Sequence, residues 1–229
     1  VSLDQFLVNA SILGLSIIVL GTAVRGHWVH CWTLVPYLVV IGGYDVLVRM
    51  SVRYHSWDLY LAKESLVAAL RLLLAVELYV RLFAGLPGAR RLANWPLLAS
   101  LGITLLYLWT STIRADPVKS FQTIIPIATD GATLVLTTIL ALAAWFRVPA
   151  DPFHRAILRG LVAYLLVYTL GIHLFTAFGW GSRLAINRVT GLSYIILLVY
   201  WGVAAWRPVD AQPAPPGVVR RLRTWASSS

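Results

Sequence analysis

The stretch from Glu64 to Arg81, ESLVAALRLLLAVELYVR, decides the reading of this chain. Most of it could lie in hydrocarbon, yet Arg71 stands at its middle and Glu64 and Glu77 on either side. A charge at the centre of a membrane helix costs at least about 2.5 to 3.5 kcal/mol, so it requires a partner or a polar cavity. Glu64 returns to nearly the same helix face as Arg71 but roughly 10 Å along the axis, and Glu77 points about 120° away. Neither is a close intrahelical mate. The expected partner of Arg71 is an acid on another helix.

The rest of the chain makes a membrane the natural setting. Of 229 residues, 59% are hydrophobic and only 12% charged, and the mean hydropathy is +0.77. That composition excludes an ordinary soluble domain. Apolar windows of roughly 20 residues fall at about 4–24, 32–53, 58–84, 93–113, 121–146, 153–178 and 185–206. Between them, RGHWVHC, RYHSWD, GLPGARR, RADPVK, RVPADP and GWGSR bring together Pro, Gly and charge. Connections this short make consecutive helices antiparallel. The expected fold is therefore an all-α integral membrane protein. A seven-transmembrane-helix bundle occupies residues 1–208, and a flexible basic tail, rich in Pro and Ala, occupies 209–229.

Trp28, Trp32, Trp57, Trp95, Trp145, Trp180 and Trp206 stand near segment ends, where amphipathic rings anchor at the headgroups. One set of loops holds Arg25, Arg81, Arg90, Arg91, Arg147, Arg155, Arg159, Arg207, Arg220, Arg221 and Arg223. The opposite set holds Arg49, Arg53, Lys63, Arg114, Lys119, Arg183 and Arg188. The positive-inside rule assigns the richer set to the cytoplasm, which puts the N-terminus outside and the C-terminus inside a bacterial inner membrane. The first segment carries Asp4 and no basic flank, and is expected to be a retained helix and not a cleaved signal. The net charge of +10 then belongs to topology and anionic headgroups, not to nucleic acid.

The candidate site consists of the polar groups inside the spans: Asp45, Arg49, Glu64, Arg71, Asp130, His173 and Asn187. Asp45 and Asp130 are the acids available to Arg71. With His173 and Asn187 they fall at similar depth in the outer half of the bilayer, as a polar cavity opening outward would require. A purely structural role stays open beside this: Asp45 with Arg49, and Glu77 with Arg81, are spaced i, i+4 and can satisfy each other. Pro126 is expected to kink its helix.

Sharper chemistries lack their residues. A retinal pigment needs a lysine deep in a span, and Lys63 and Lys119 lie at segment ends. His173 is the one histidine inside a span, too few for bis-histidine haem. HWVHC has metal-like spacing but is expected to be solvated loop. Catalytic triads, HExxH and phosphate-binding glycine loops are missing from the sequence. No catalytic residue, metal or cofactor is expected, and a bound lipid stays open.

The arrangement YHSWDLYLAKESLVAALRLLLAVELYVRLFAGLPGARRL, then RAILRGLVAYLLVY, then LLVYWGVAAWRP resembles a group of standalone seven-helix proteins of environmental bacteria without an assigned activity. The matching positions are Glu64, Glu77 to Tyr79, Arg159 to Gly160 and Tyr200 to Trp206. The resemblance implies the architecture and no chemistry. Three functions remain open. One is a sensor or receptor-like module with a polar outward-facing cavity, acting through a separate membrane partner. Another is an accessory subunit of a larger membrane complex. The third is a small-molecule transporter, for which the sequence shows no internal repeat.

Overall fold

The computed structural model describes residues 3–50, 56–84, 87–114, 117–149 and 151–208, and within them the chain is all-α. Helix α1 spans Leu3–Val24, the single turn α2 His27–His30, α3 Leu34–Met50 and α4 Trp57–Phe83. Helix α5 spans Pro87–Arg114, α6 Pro117–Trp145, α7 Pro152–Phe178 and α8 Arg183–Trp206. The seven long helices coincide with the seven apolar segments to within a few residues at most ends. Helix α5 begins earlier than hydropathy suggested because Pro87 starts it, where proline's fixed φ suits a first turn and its missing N–H costs nothing. The tail 209–229 and Arg53 lie outside the described residues.

Local chemistry sets the ends. Ser56 caps α4 by accepting from the amide of Leu59, and Asp151 caps α7 by accepting from that of Phe153. Pro152 follows Asp151 at the start of α7, and Gly179, at φ 68°, ends that helix in a conformation other residues resist. Helix α6 runs through Pro126.

Six of the long helices close a ring: α1 packs on α3, α3 on α4, α4 on α6, α6 on α7, α7 on α8, and α8 back on α1. Helix α5 stands outside this ring against α6, and α4 reaches α7 across it. The interior is filled by Tyr37, Leu74, Leu78, Phe83, Leu136, Ile139, Leu161 and Trp201. Two indoles lock the α8 side, Trp201 donating to the carbonyl of Ala156 and Trp206 to that of Ile17. Both require glycine opposite, because a Cβ on Gly160 would lie 2.6 Å from the Trp201 indole nitrogen and one on Gly21 2.8 Å from that of Trp206. Trp206 is thus a packing residue as well as an end marker.

Four helices, Gln5–Val24, Pro126–Trp145, Pro152–Phe178 and Arg183–Trp206, are long and apolar enough to cross a membrane. Helix α3 has 17 residues and α4 carries six Asp, Glu, Lys or Arg residues, which keeps both below that mark. Among the described residues, many large apolar side chains are exposed, Leu13, Met50, Leu98, Leu106, Trp145 and Ile196 among them. Exposed apolar side chains in such number suit a surface that meets lipid. The chain is a membrane protein.

Candidate functional site

Arg71 is buried within the ring, 5% exposed, and no carboxylate lies within ion-pair distance of it among the described residues. The expected bridge to Asp45 or Asp130 is not formed. Tyrosines surround the guanidinium instead. Tyr37 on α3 and Tyr164 on α7 lie near enough to act on it electrostatically, and the ring centre of Tyr168, one turn along α7, lies 5.9 Å from the guanidinium carbon. Tyr164 stacks on Tyr168 and meets Tyr194 of α8 at 5.4 Å between ring centres. Two polar atoms here lack a hydrogen-bond partner: Nε of Arg71 and the hydroxyl of Tyr194. A buried donor left in that state costs about 1–3 kcal/mol, more when charged.

Nearer the start of α4, Glu64 is buried and ion-pairs with Lys63, whose ammonium also lies 5.0 Å from the ring centre of Tyr44 and 5.4 Å from that of Tyr60. Glu64 also acts electrostatically on Tyr168, which links this group to the Arg71 shell. Asp45 is half-buried near Lys63 and Arg49, and the expected Asp45–Arg49 bridge is not made. Arg49 is exposed in the last turn of α3.

The other expected residues lie elsewhere. Asp130 on α6 pairs with His173 on α7 at 3.3 Å, and its second oxygen, Oδ1, is buried without a partner. His173 itself is exposed, as is Asn187 on α8. The five residues expected at one level therefore do not form one cluster: Arg71 stands among tyrosines of α3, α7 and α8, Asp45 lies near Lys63, Asp130 and His173 form a separate α6–α7 pair, and Asn187 joins none of them.

The bridge between Glu77 and Arg81 is present, at 3.0 Å, and is part of a larger arrangement. The buried Glu77 carboxylate also accepts from the amides of Trp32 and Thr33, at 3.1 and 2.9 Å. Burial and this neighbouring carboxylate push the Cys31 thiol well above its ordinary range, so it is held protonated. The HWVHC stretch is not wholly solvated loop: Cys31 and His27 are buried, with His27 stacked on Phe153 at 4.1 Å between ring centres.

Sequence reasoning missed the tyrosines. Tyr164 and Tyr168 stand mid-segment at i, i+4, the spacing that places two rings on one helix face, and that was the signal available. Compared with known proteins, the chain matches no family model, no curated protein and no solved structure. The resemblance to seven-helix bacterial proteins gains nothing from these comparisons.

Proposed function

We propose that this chain spans the bacterial cytoplasmic membrane seven times, N-terminus outside and C-terminus inside. In this reading it is a sensor or receptor-like module that takes a small anion of the carboxylate class against Arg71 and signals through a separate membrane partner. The observation that carries the reading is the buried guanidinium without a carboxylate. Desolvating a cation costs several kcal/mol, and tyrosine rings and hydroxyls compensate less than an ionised partner does. A bound carboxylate would supply the missing charge, accept from Arg71 and the tyrosine hydroxyls, and link α3, α4, α7 and α8. Occupancy would thereby change how four helices of the ring are held together. That is a physical route from binding to a change a partner can sense.

The accessory-subunit reading has its own support in the strongly exposed Trp95, Trp109 and Trp145, which offer aromatic surface on α5 and α6. The two readings separate on purified full-length protein in neutral detergent. A panel of acetate, succinate and benzoate should include at least one anion that raises the unfolding midpoint of the wild type and leaves Arg71→Met unmoved. Indifference of the wild type to all three, with migration in a stoichiometric complex after mild solubilisation, would favour the accessory role.

A further inference from the structure

At the end of the bundle where α1 and α8 finish and α7 begins, a cavity of about 310 Å³ is lined by His27, Asp151, Arg155, Arg159, Tyr200 and Arg207. It adjoins an apolar groove of about 460 Å³ between α7 and α8, and Arg159 and Tyr200 form walls of both. The groove is walled further by Ala163, Val167, Ile196 and Leu197. From Arg159 to Val167 it follows α7 for roughly 12 Å, about four-fifths of the depth of a hydrocarbon leaflet.

The two compartments differ in chemistry. Arg159 and Arg207 are exposed and make no ion pair among the described residues. Asp151 is the acid of the cavity, and it is already engaged by the amide of Phe153 and the ring of His154. His27 is buried at 2% exposure; its Nε2 meets the carbonyl of Arg207 at 3.1 Å, and its Nδ1 has no partner. A carbonyl can only accept, so the tautomer that fits this contact carries its proton on Nε2. Cationic side chains at the mouth of an apolar groove complement an amphiphile with an anionic head and a hydrocarbon chain.

We propose that this end of the molecule is a binding site for an anionic phospholipid, with its phosphate between Arg159 and Arg207 near His27, and an acyl chain in the α7–α8 groove. Planar guanidinium groups match phosphate oxygens in pairs, which favours this head over a zwitterionic one whose own cation competes for the phosphate. The same end carries the arginine-rich loops assigned to the cytoplasm, the leaflet in which anionic lipids concentrate. The groove shares Tyr164 with the Arg71 shell, but the phosphate end lies at Arg159 and Arg207 and is probed by different substitutions, so either proposal can fail alone.

The test is native mass spectrometry of the delipidated full-length protein, titrated with phosphatidylglycerol, with phosphatidylcholine of the same chains, and with inorganic phosphate. Wild type should retain phosphatidylglycerol at least about tenfold more tightly than phosphatidylcholine, and R159Q/R207Q should lose that margin. The substituted arginines are exposed, so folding is checked by an unchanged unfolding midpoint without lipid. Ala163→Phe, which fills the groove, should weaken phosphatidylglycerol and leave any phosphate binding as it was. Equal retention of both lipids by wild type, or undiminished phosphatidylglycerol in R159Q/R207Q, would overturn the site. Saturation by inorganic phosphate at concentrations matching the lipid would also overturn it, replacing the lipid by a small anion.

Discussion

The amide of Thr33 donates to Oε2 of Glu77 at 2.9 Å, joining positions 44 residues apart in the chain. Thr33 immediately precedes α3, whose first amides have no intrahelical partner, and the carboxylate from α4 fills that role in a buried setting. With Arg81 and the Trp32 amide on its other oxygen, Glu77 fastens the α2–α3 connection to the middle of the ring. Glu77→Ala would leave two amides without an acceptor and should cost about 2–4 kcal/mol. Glu77→Gln, which keeps one acceptor oxygen, should lose less. Unfolding in increasing denaturing detergent checks the order; equal losses would mean the charge and not the hydrogen bonds carries the effect.

Arg71 makes the opposite prediction. A buried charge lacking an ionic partner is replaced at a gain by an apolar chain of similar volume, so Arg71→Met should stabilise the ligand-free protein by about 1–4 kcal/mol. Stability gained together with anion binding lost is the signature of a site kept for function. If Arg71→Met is destabilised by the same amount as Arg71→Ala, the guanidinium is a structural member of the tyrosine shell and the ligand reading falls.

Asp151 gives a pH dependence with a definite sign. The hydrogen bond from His154, with the Phe153 amide, holds its carboxyl below the ordinary range against the opposing effect of burial. A folded pKa below the unfolded one means stability that is fully present above about pH 4, the unfolded value, and lost as pH falls through the folded value. Asp151→Ala, which also removes the cap of α7, should cost about 1 kcal/mol near neutrality. The difference from wild type should shrink as pH drops below about 4. A gap in unfolding midpoint that persists undiminished into strong acid would show that capping, and not ionisation, is the source.

How much of this was legible beforehand depends on what periodicity can express. The seven helices follow from apolar run length and from Pro and Gly between runs, as at Pro87, Pro152 and Gly179. Glu77–Arg81 was legible because both partners sit on one helix. Arg71 stands out in the sequence as a charge in need of a partner, but which residues surround it depends on the rotation of α3, α7 and α8 about their axes. No single-helix pattern encodes that rotation, and tyrosines took the place expected of Asp45 and Asp130. The small-residue contact between α5 and α6 was hidden for the same reason: a Cβ on Gly131 would fall 2.1 Å from Cγ2 of Thr104, a helix away.

The orientation rests on arginine distribution, and a fusion decides it. A fluorescent protein joined to the C-terminus should be bright and an exported phosphatase joined there should be inactive, since the richer arginine set then lies in the cytoplasm. The converse pattern would invert the topology and place the Arg159–Arg207 cavity in the outer leaflet.

The pair formed by Asp130 and His173 offers the sharpest test of an outward opening. The two side chains meet at 3.3 Å, His173 is exposed, and Oδ1 of Asp130 is buried without a partner. Ionisable groups at membrane depth are tolerated where they meet each other or line a water-filled space. If water reaches them from outside, His173→Cys in whole cells should react with a small impermeant thiol reagent. Cys31, buried at 1% exposure, should stay unreacted in the parent and serve as the control. A cysteine at 173 that resists the reagent from outside would return the pair to a plain α6–α7 packing contact.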